Sequence, residues 1–450
     1  MNKTVVIDIV GLSSNLIGEY MPFLKEYASK KNVSLIDPVL PAVTTSVQAT
    51  YLTGKFPAAH GIVGNGWYSR EDCEIKFWKQ SNQLVQAEKI WERAKKADPH
   101  FTCSQMFWWY NMYSSADYSV TPRPNYLADG RKIPDCYSSP AGLRDELQDK
   151  FGRFPLFQFW GPGAGIQSTQ WIADASMYTD DRYDPTLTLI YLPHLDYCLQ
   201  KSGPDFTKIS KDLHDTDRVV KQLVEFYEKK NTNIILLSEY GIVPVNNPIH
   251  INRILRKHDL LQVRTERGLE LLDAGASKAF AVADHQAAHI YINDPSAITK
   301  TRNILEKTEG IELVLDKEAQ AKYHINHERS GDLLLVANKE SWFTYYFWLD
   351  DSRAPDYART VEIHKKPGYD PVEMFMSSKL RAAYKLFRKK IGLRYVMDVI
   401  PLDATLVKGS HGSMHIPAAY HPLIITDKSL AKEKIQPTEV YDVIWQSLTS

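Results

Sequence analysis

The chain has 450 residues, 54 Lys+Arg against 54 Asp+Glu, and 44% hydrophobic residues. That apolar fraction excludes a disordered chain, and the balanced charge gives no global field to attract nucleic acid or an anionic membrane, though a local basic groove is compatible with it. Cys73, Cys103, Cys136 and Cys198 are too scattered for a disulfide scaffold, no apolar run approaches the about 18 residues of a membrane span, and the first residues lack a signal-peptide pattern, so the expectation is a soluble, cytoplasmic protein.

The first element is a strand over 4–10, a short apolar run interrupted by Asp8. Helices are expected over 47–52 and 84–96. Residues 101–183 are crowded with aromatics, prolines and glycines, including MFWWYNMY and FQFWGPGAG. They read either as an irregular packed outer layer or as an aromatic wall beside a ligand cleft. Strands follow over 186–192 and 233–237, with a helix over 208–229 between them. In that helix Ile209, Leu213, Val219, Val220, Leu223 and Phe226 form one apolar stripe. Residues 261–327 read as an inserted cap, and 332–337 as another buried strand. Continuous apolar runs alternating with amphipathic helices predict an α/β fold, with a mainly parallel central sheet flanked by helices. The core is expected from 1–260 and 328–450, so both ends of the chain contribute to it.

Ligands of open parallel sheets bind beyond the carboxyl ends of the strands. Asp8, Asp196, Glu239 and Tyr240 fall at or near such ends, and His411 lies in a late turn-rich KGSHGS stretch. A carboxylate in an apolar strand is costly unless paired or bound to metal. Three of them with a histidine therefore point to a cation centre, because a divalent ion relieves their mutual repulsion. Thr44 precedes the helix expected over 47–52. A threonine there reads as an N-cap, or as a hydroxyl placed where free helix amides hold an anion.

The segment LPAVTTSVQATYLTGKFPAAHGIVGNGWY resembles the alkaline phosphatase superfamily in its nucleotide pyrophosphatase/phosphodiesterase branch. Pro41, Thr44, Thr53-Gly54, Pro57 to Ile62 and Asn65 stand at that branch's spacings. Asp8, Asp196 with Gly203-Pro204, Glu239-Tyr240-Gly241 and His411-Gly412 match its later motifs. The resemblance implies an alkaline phosphatase-like core and a metal-dependent phosphoric ester hydrolase. Its nucleophile would be Thr44, and Asn65 would hold the phosphoryl oxygen. It implies one metal site from Asp8, Thr44, Glu239 and Tyr240, and another from Asp196, Gln200 and His411.

Family members usually hold two zinc ions, yet Glu239, Tyr240 and Gln200 replace the family's aspartate and two of its histidines. The oxygen-rich set suits Mg²⁺ or Mn²⁺ better than zinc, so one or two divalent ions are expected. His194, His285 and His364 are candidates for the substrate pocket. Lys365, Lys366 and Arg359 read either as positive charge for a phosphate ester or as a solvated surface. The expected partner is a small phosphate ester, with no nucleic acid and no membrane span. The same substitutions keep two alternatives open, a degenerate binding or scaffolding protein and a group transferase. The sequence gives no oligomeric state.

Overall fold

The computed structural model describes residues 1–430 and 432–450. Its main sheet has nine strands, and the five central ones run parallel: Asn233–Leu237, Thr4–Ile9, Leu187–Leu192, Cys103–Met106 and Tyr118–Pro122. Thr4–Ile9 is buried along its whole length and pairs on both sides, Asp8 facing Tyr191 on one and Leu237 on the other. This is why its sequence is continuously apolar except at Asp8. Cys136–Ser139 closes one side antiparallel. On the other side Leu423–Thr426 inserts antiparallel between Asn233–Leu237 and Asn32–Ile36. The α/β architecture agrees with the sequence expectation.

The helix expected over 208–229 is Phe206–Lys229, capped by the Asp205 carboxylate on the Thr207 amide. The helix expected over 47–52 is Thr44–Thr53, with all ten residues buried. It has no polar face, so its hydroxyls turn inward. Thr50 Oγ1 donates to the Ser46 carbonyl at 2.8 Å and Thr53 Oγ1 to that of Ala49 at 2.6 Å. The helix expected over 84–96 starts later, at Ile90, and ends at Ala97.

Two expectations need correction. Residues 101–183 are not an irregular layer, since they supply three strands of the main sheet and the helices Ala141–Phe151 and Ile166–Tyr183. The aromatic crowding hid short strands, and Phe107 and Trp108, which follow the strand Cys103–Met106, are buried in the core beside them. Leu333–Ala337 does not join the parallel sheet either. It lies in a separate four-stranded antiparallel sheet with Ala279–Asp284, Ala287–Ile292 and Ile311–Leu315. A strand buried on both faces reads alike in either kind of sheet, so periodicity could not separate them. This second sheet runs past the 261–327 stretch and packs into the site through the turn at His285.

Gly241 is fixed by close packing. A Cβ there would overlap the carbonyl of Tyr420. Gly241 also bridges Gly11, which sets the course of the backbone just after Glu239 and Tyr240. Gly241→Ala is expected to destabilise the fold by about 3 kcal/mol or more, the upper range for overpacking. Thermal melting checks this, and an unchanged melting temperature would contradict the packing argument.

Candidate active site

The carboxyl ends of three adjacent strands deliver the acidic groups. Asp8 sits within Thr4–Ile9, and Glu239 and Tyr240 follow Asn233–Leu237. Asp196 and Gln200 lie on the helix His194–Ser202, which follows Leu187–Leu192. Four residues apart, they share one helical face.

Gln48 joins the first pair of acids. Its Nε2 donates to Glu239 Oε1 at 2.6 Å and reaches Asp8 Oδ2 at 3.5 Å, while its Oε1 accepts from the Trp109 amide at 2.6 Å. One oxygen of each acid, Asp8 Oδ1 and Glu239 Oε2, is buried without a hydrogen-bond partner. Burial, then the neighbouring Glu239, raises the Asp8 carboxyl well above its usual range, and burial raises that of Glu239.

A second line of hydrogen bonds starts at Thr44. Val43 is the N-cap of the Thr44 helix and gives no side-chain cap. Thr44 is therefore inside the first turn rather than capping it, and its Oγ1 lies 3.0 Å from the Tyr240 hydroxyl. Tyr240 donates to Asp196 Oδ1 at 3.3 Å, Gln200 Nε2 donates to Asp196 Oδ2 at 2.8 Å, and Tyr369 donates to Gln200 Oε1 at 3.0 Å. The ring of His411 stacks on Tyr240 at 3.6 Å, and that of His285 lies 3.7 Å from both His411 and Tyr369. His411 Nδ1 donates to the Ala42 carbonyl at 2.7 Å, which leaves Nε2 bare, 3.6 Å from Asp196 Oδ1. Burial lowers the His411 pKa to about 3 and raises that of Asp196 to about 7.

Asn65 completes the constellation. Its Oδ1 accepts from the Thr45 amide at 3.2 Å. Asp284 holds it in place, accepting from the Asn65 backbone N at 2.8 Å and from Nδ2 at 3.1 Å. Among the described residues no Lys or Arg pairs with Asp8, Asp196, Glu239 or Asp284; the nearest basic rings are His411 to Asp196 and His285 to Asp284.

The structure thus brings together Asp8, Thr44, Asn65, Asp196, Gln200, Glu239, Tyr240, His285 and His411. It does not bring in His194 or His364. The reading of His194 assumed a strand, where residues two apart share a face. The segment is a helix, and His194 Nε2 turns instead to Asp212 Oδ1 at 2.8 Å. His364 lies at the surface, its Nδ1 3.2 Å from the Phe77 carbonyl. Lys365 and Arg359 are exposed, but Lys366 is buried, 2.7 Å from both Asp370 and Glu373.

The type I phosphodiesterase / nucleotide pyrophosphatase family profile matches residues 4–370. The chain belongs to this family. An uncharacterized pyrophosphatase/phosphodiesterase of Schizosaccharomyces pombe is 22% identical over 406 residues, covering 86% of this chain and 73% of the relative. Ectonucleotide pyrophosphatase/phosphodiesterase 1 of Saccharomyces cerevisiae is 25% identical over 282 residues, covering 55% of this chain and 35% of the relative. Two solved structures share the fold. Phosphonoacetate hydrolase of Sinorhizobium meliloti, in complex with phosphonoformate, has a TM-score of 0.63 at 15% identity, covering 100% of this chain and 96% of that one. Murine ectonucleotide pyrophosphatase/phosphodiesterase 5 has a TM-score of 0.59 at 14% identity, covering 99% and 95%. The relatives named pyrophosphatase/phosphodiesterase agree with the expectation of a hydrolase in this type I phosphodiesterase family.

The one or two divalent ions expected from the resemblance can be tested against these donors. Asp8 Oδ1 and Glu239 Oε2, two unpartnered buried oxygens near Thr44, suit one hard cation. The other set is already tied into hydrogen bonds. Both oxygens of Asp196 accept from Tyr240 and Gln200, and the Gln200 oxygen accepts from Tyr369, so His411 Nε2 is its one ligand atom without a partner. Among the described residues no three His, Cys, Asp or Glu side chains form a metal-binding group.

Gln48 and Asp284 escaped the sequence reading. Gln48 is one helical turn beyond Thr44, a spacing that puts both on one face. Asp284 precedes His285 in an apolar run, the same signature that singled out Asp8.

Proposed function

We propose that this chain hydrolyses a small phosphoric ester, with Thr44 as nucleophile and one hard divalent cation on Asp8 and Glu239. The observation that carries the reading is the Thr44 hydroxyl in the first turn of a buried, uncapped helix, beside an asparagine held by its own carboxylate. A phosphoryl group at this helix end meets the Thr44 amide and the remaining Asn65 Nδ2 hydrogen, both able to donate to a non-bridging oxygen. Thr44 Oγ1 forms the bond to phosphorus as the leaving group departs, and water then cleaves the phosphothreonine. With Tyr240 donating to Asp196, the Thr44 hydroxyl donates to Tyr240, so Thr44–Tyr240–Asp196 is a route for the hydroxyl proton. A cation held by Asp8 and Glu239 supplies positive charge that lowers the pKa of the hydroxyl.

A cytoplasmic setting belongs to the same proposal and is supported by four cysteines without a disulfide. Hydrolysis of an aryl phosphodiester in the presence of Mn²⁺ or Mg²⁺ tests the activity. Calorimetric titration of the metal-stripped protein is expected to show one Mn²⁺ bound per chain. Two tight sites would overturn the single-cation assignment, and none would overturn the cation altogether.

A further inference from the structure

Eight of the fifteen large apolar side chains exposed among the described residues lie between 376 and 396. They centre on the helix Lys379–Lys390, whose residue order is KLRAAYKLFRKK. At about 100° per residue, Leu380, Tyr384, Phe387 and Ile391 fall within about 60° of one another. Ala382, the buried residue of this helix, points the opposite way. Leu380 is 84% exposed and Phe387 58%. An apolar stripe that faces water across a whole helix, continued by Leu393 and Val396, has the pattern of an interaction surface.

The charge around the stripe is of one sign. No acidic residue occurs between Glu373 and Asp398, whereas the helix alone holds six Lys or Arg side chains and Arg394 follows it. Arg381 and Lys385 are tied to Asp398, which anchors the helix to the body. Lys379, Arg388, Lys389, Lys390 and Arg394 have no acidic partner among the described residues. Basic residues therefore flank an outward apolar centre. Nucleic acid would be met by the charges but not by Leu380, Phe387 and Ile391. A second copy would bring two clusters of positive charge face to face.

We propose that this helix docks the protein on the surface of an anionic lipid bilayer. The apolar stripe enters the boundary between headgroups and acyl chains, and the flanking cations meet anionic headgroups. No helix among the described residues is long and apolar enough to cross a membrane, so the contact is peripheral. It stands independently of the hydrolase reading.

Sedimentation of the full chain with vesicles tests it. Phosphatidylcholine vesicles containing about 30 mol % phosphatidylglycerol are expected to bind at least about tenfold more tightly than pure phosphatidylcholine vesicles, and rising salt should weaken the binding. The pair Leu380→Ser and Phe387→Ser is expected to cut binding at least about tenfold, and so is the pair Lys389→Glu and Lys390→Glu. Both pairs alter exposed side chains, so unchanged melting curves show that the fold survives. Equal binding to both vesicle types, or variants that bind like the parent, would overturn the proposal. So would capture of an RNA oligonucleotide in place of vesicles, or a lipid-free dimer that the Leu380/Phe387 pair disperses.

Discussion

Thr44→Ala is expected to reduce aryl phosphodiester hydrolysis by at least about a thousandfold, as loss of a nucleophile does, while the fold stays intact. The Thr44 hydroxyl makes one side-chain hydrogen bond, to Tyr240, and Tyr240 keeps Asp196 as acceptor when that bond is lost. The stability cost is therefore about 1 kcal/mol. Thr44→Ser keeps the hydroxyl and should retain measurable activity. Turnover by Thr44→Ala at the parent rate, after metal loading, would remove Thr44 from the chemistry. Melting curves recorded alongside separate a lost nucleophile from a lost fold.

Gln48→Leu should produce the largest stability loss in the site. Leucine fills a similar volume but leaves the Trp109 amide and Glu239 Oε1 buried without their partner. An unsatisfied buried group costs about 1–3 kcal/mol, more when charged, so a loss of about 3–4 kcal/mol is expected. It also removes the neutral donor that Asp8 and Glu239 share, and their repulsion rises. Added Mn²⁺ should then raise the melting temperature of the variant more than that of the parent, because the cation takes over the role of the amide. Unchanged melting, or an equal Mn²⁺ shift in both proteins, would show that Gln48 does not hold the two acids together.

The sequence and the structure agree best where local pattern alone fixes the element. The run TVVIDI must be buried on both faces, and the stripe from Ile209 to Phe226 must be one side of a helix. The spacing from Pro41 to Asn65 brings Thr44 and Asn65 together because both belong to one short stretch of chain. Agreement fails where the partner is remote. Nothing near Gln48 announces Trp109 or Glu239 as its neighbours, and nothing in IHKKPGYD shows that Lys366 turns inward while Lys365 faces water. His194 was misplaced through the wrong periodicity, since two residues along a strand and two along a helix point in different directions. The strand at Leu333–Ala337 was read correctly as a strand but assigned to the wrong sheet, because which sheet it joins depends on a hairpin 50 residues earlier in the chain.

The position of Leu423–Thr426 bears on how the chain reaches this state. The strand lies between Asn32–Ile36 and Asn233–Leu237, so nearly the whole polypeptide must be made before that place in the sheet is filled. Until then two strand edges face each other across a gap one strand wide, each offering unpaired amides and carbonyls to any extended segment. Pairings this distant form slowly. The acid cluster waits on the same event, because Ser238, next to Glu239, donates its backbone amide to the Leu423 carbonyl. A nascent or C-terminally clipped chain thus carries both an unclosed site and an adhesive edge, and loss of Leu423–Thr426 would be lost solubility before it was lost catalysis.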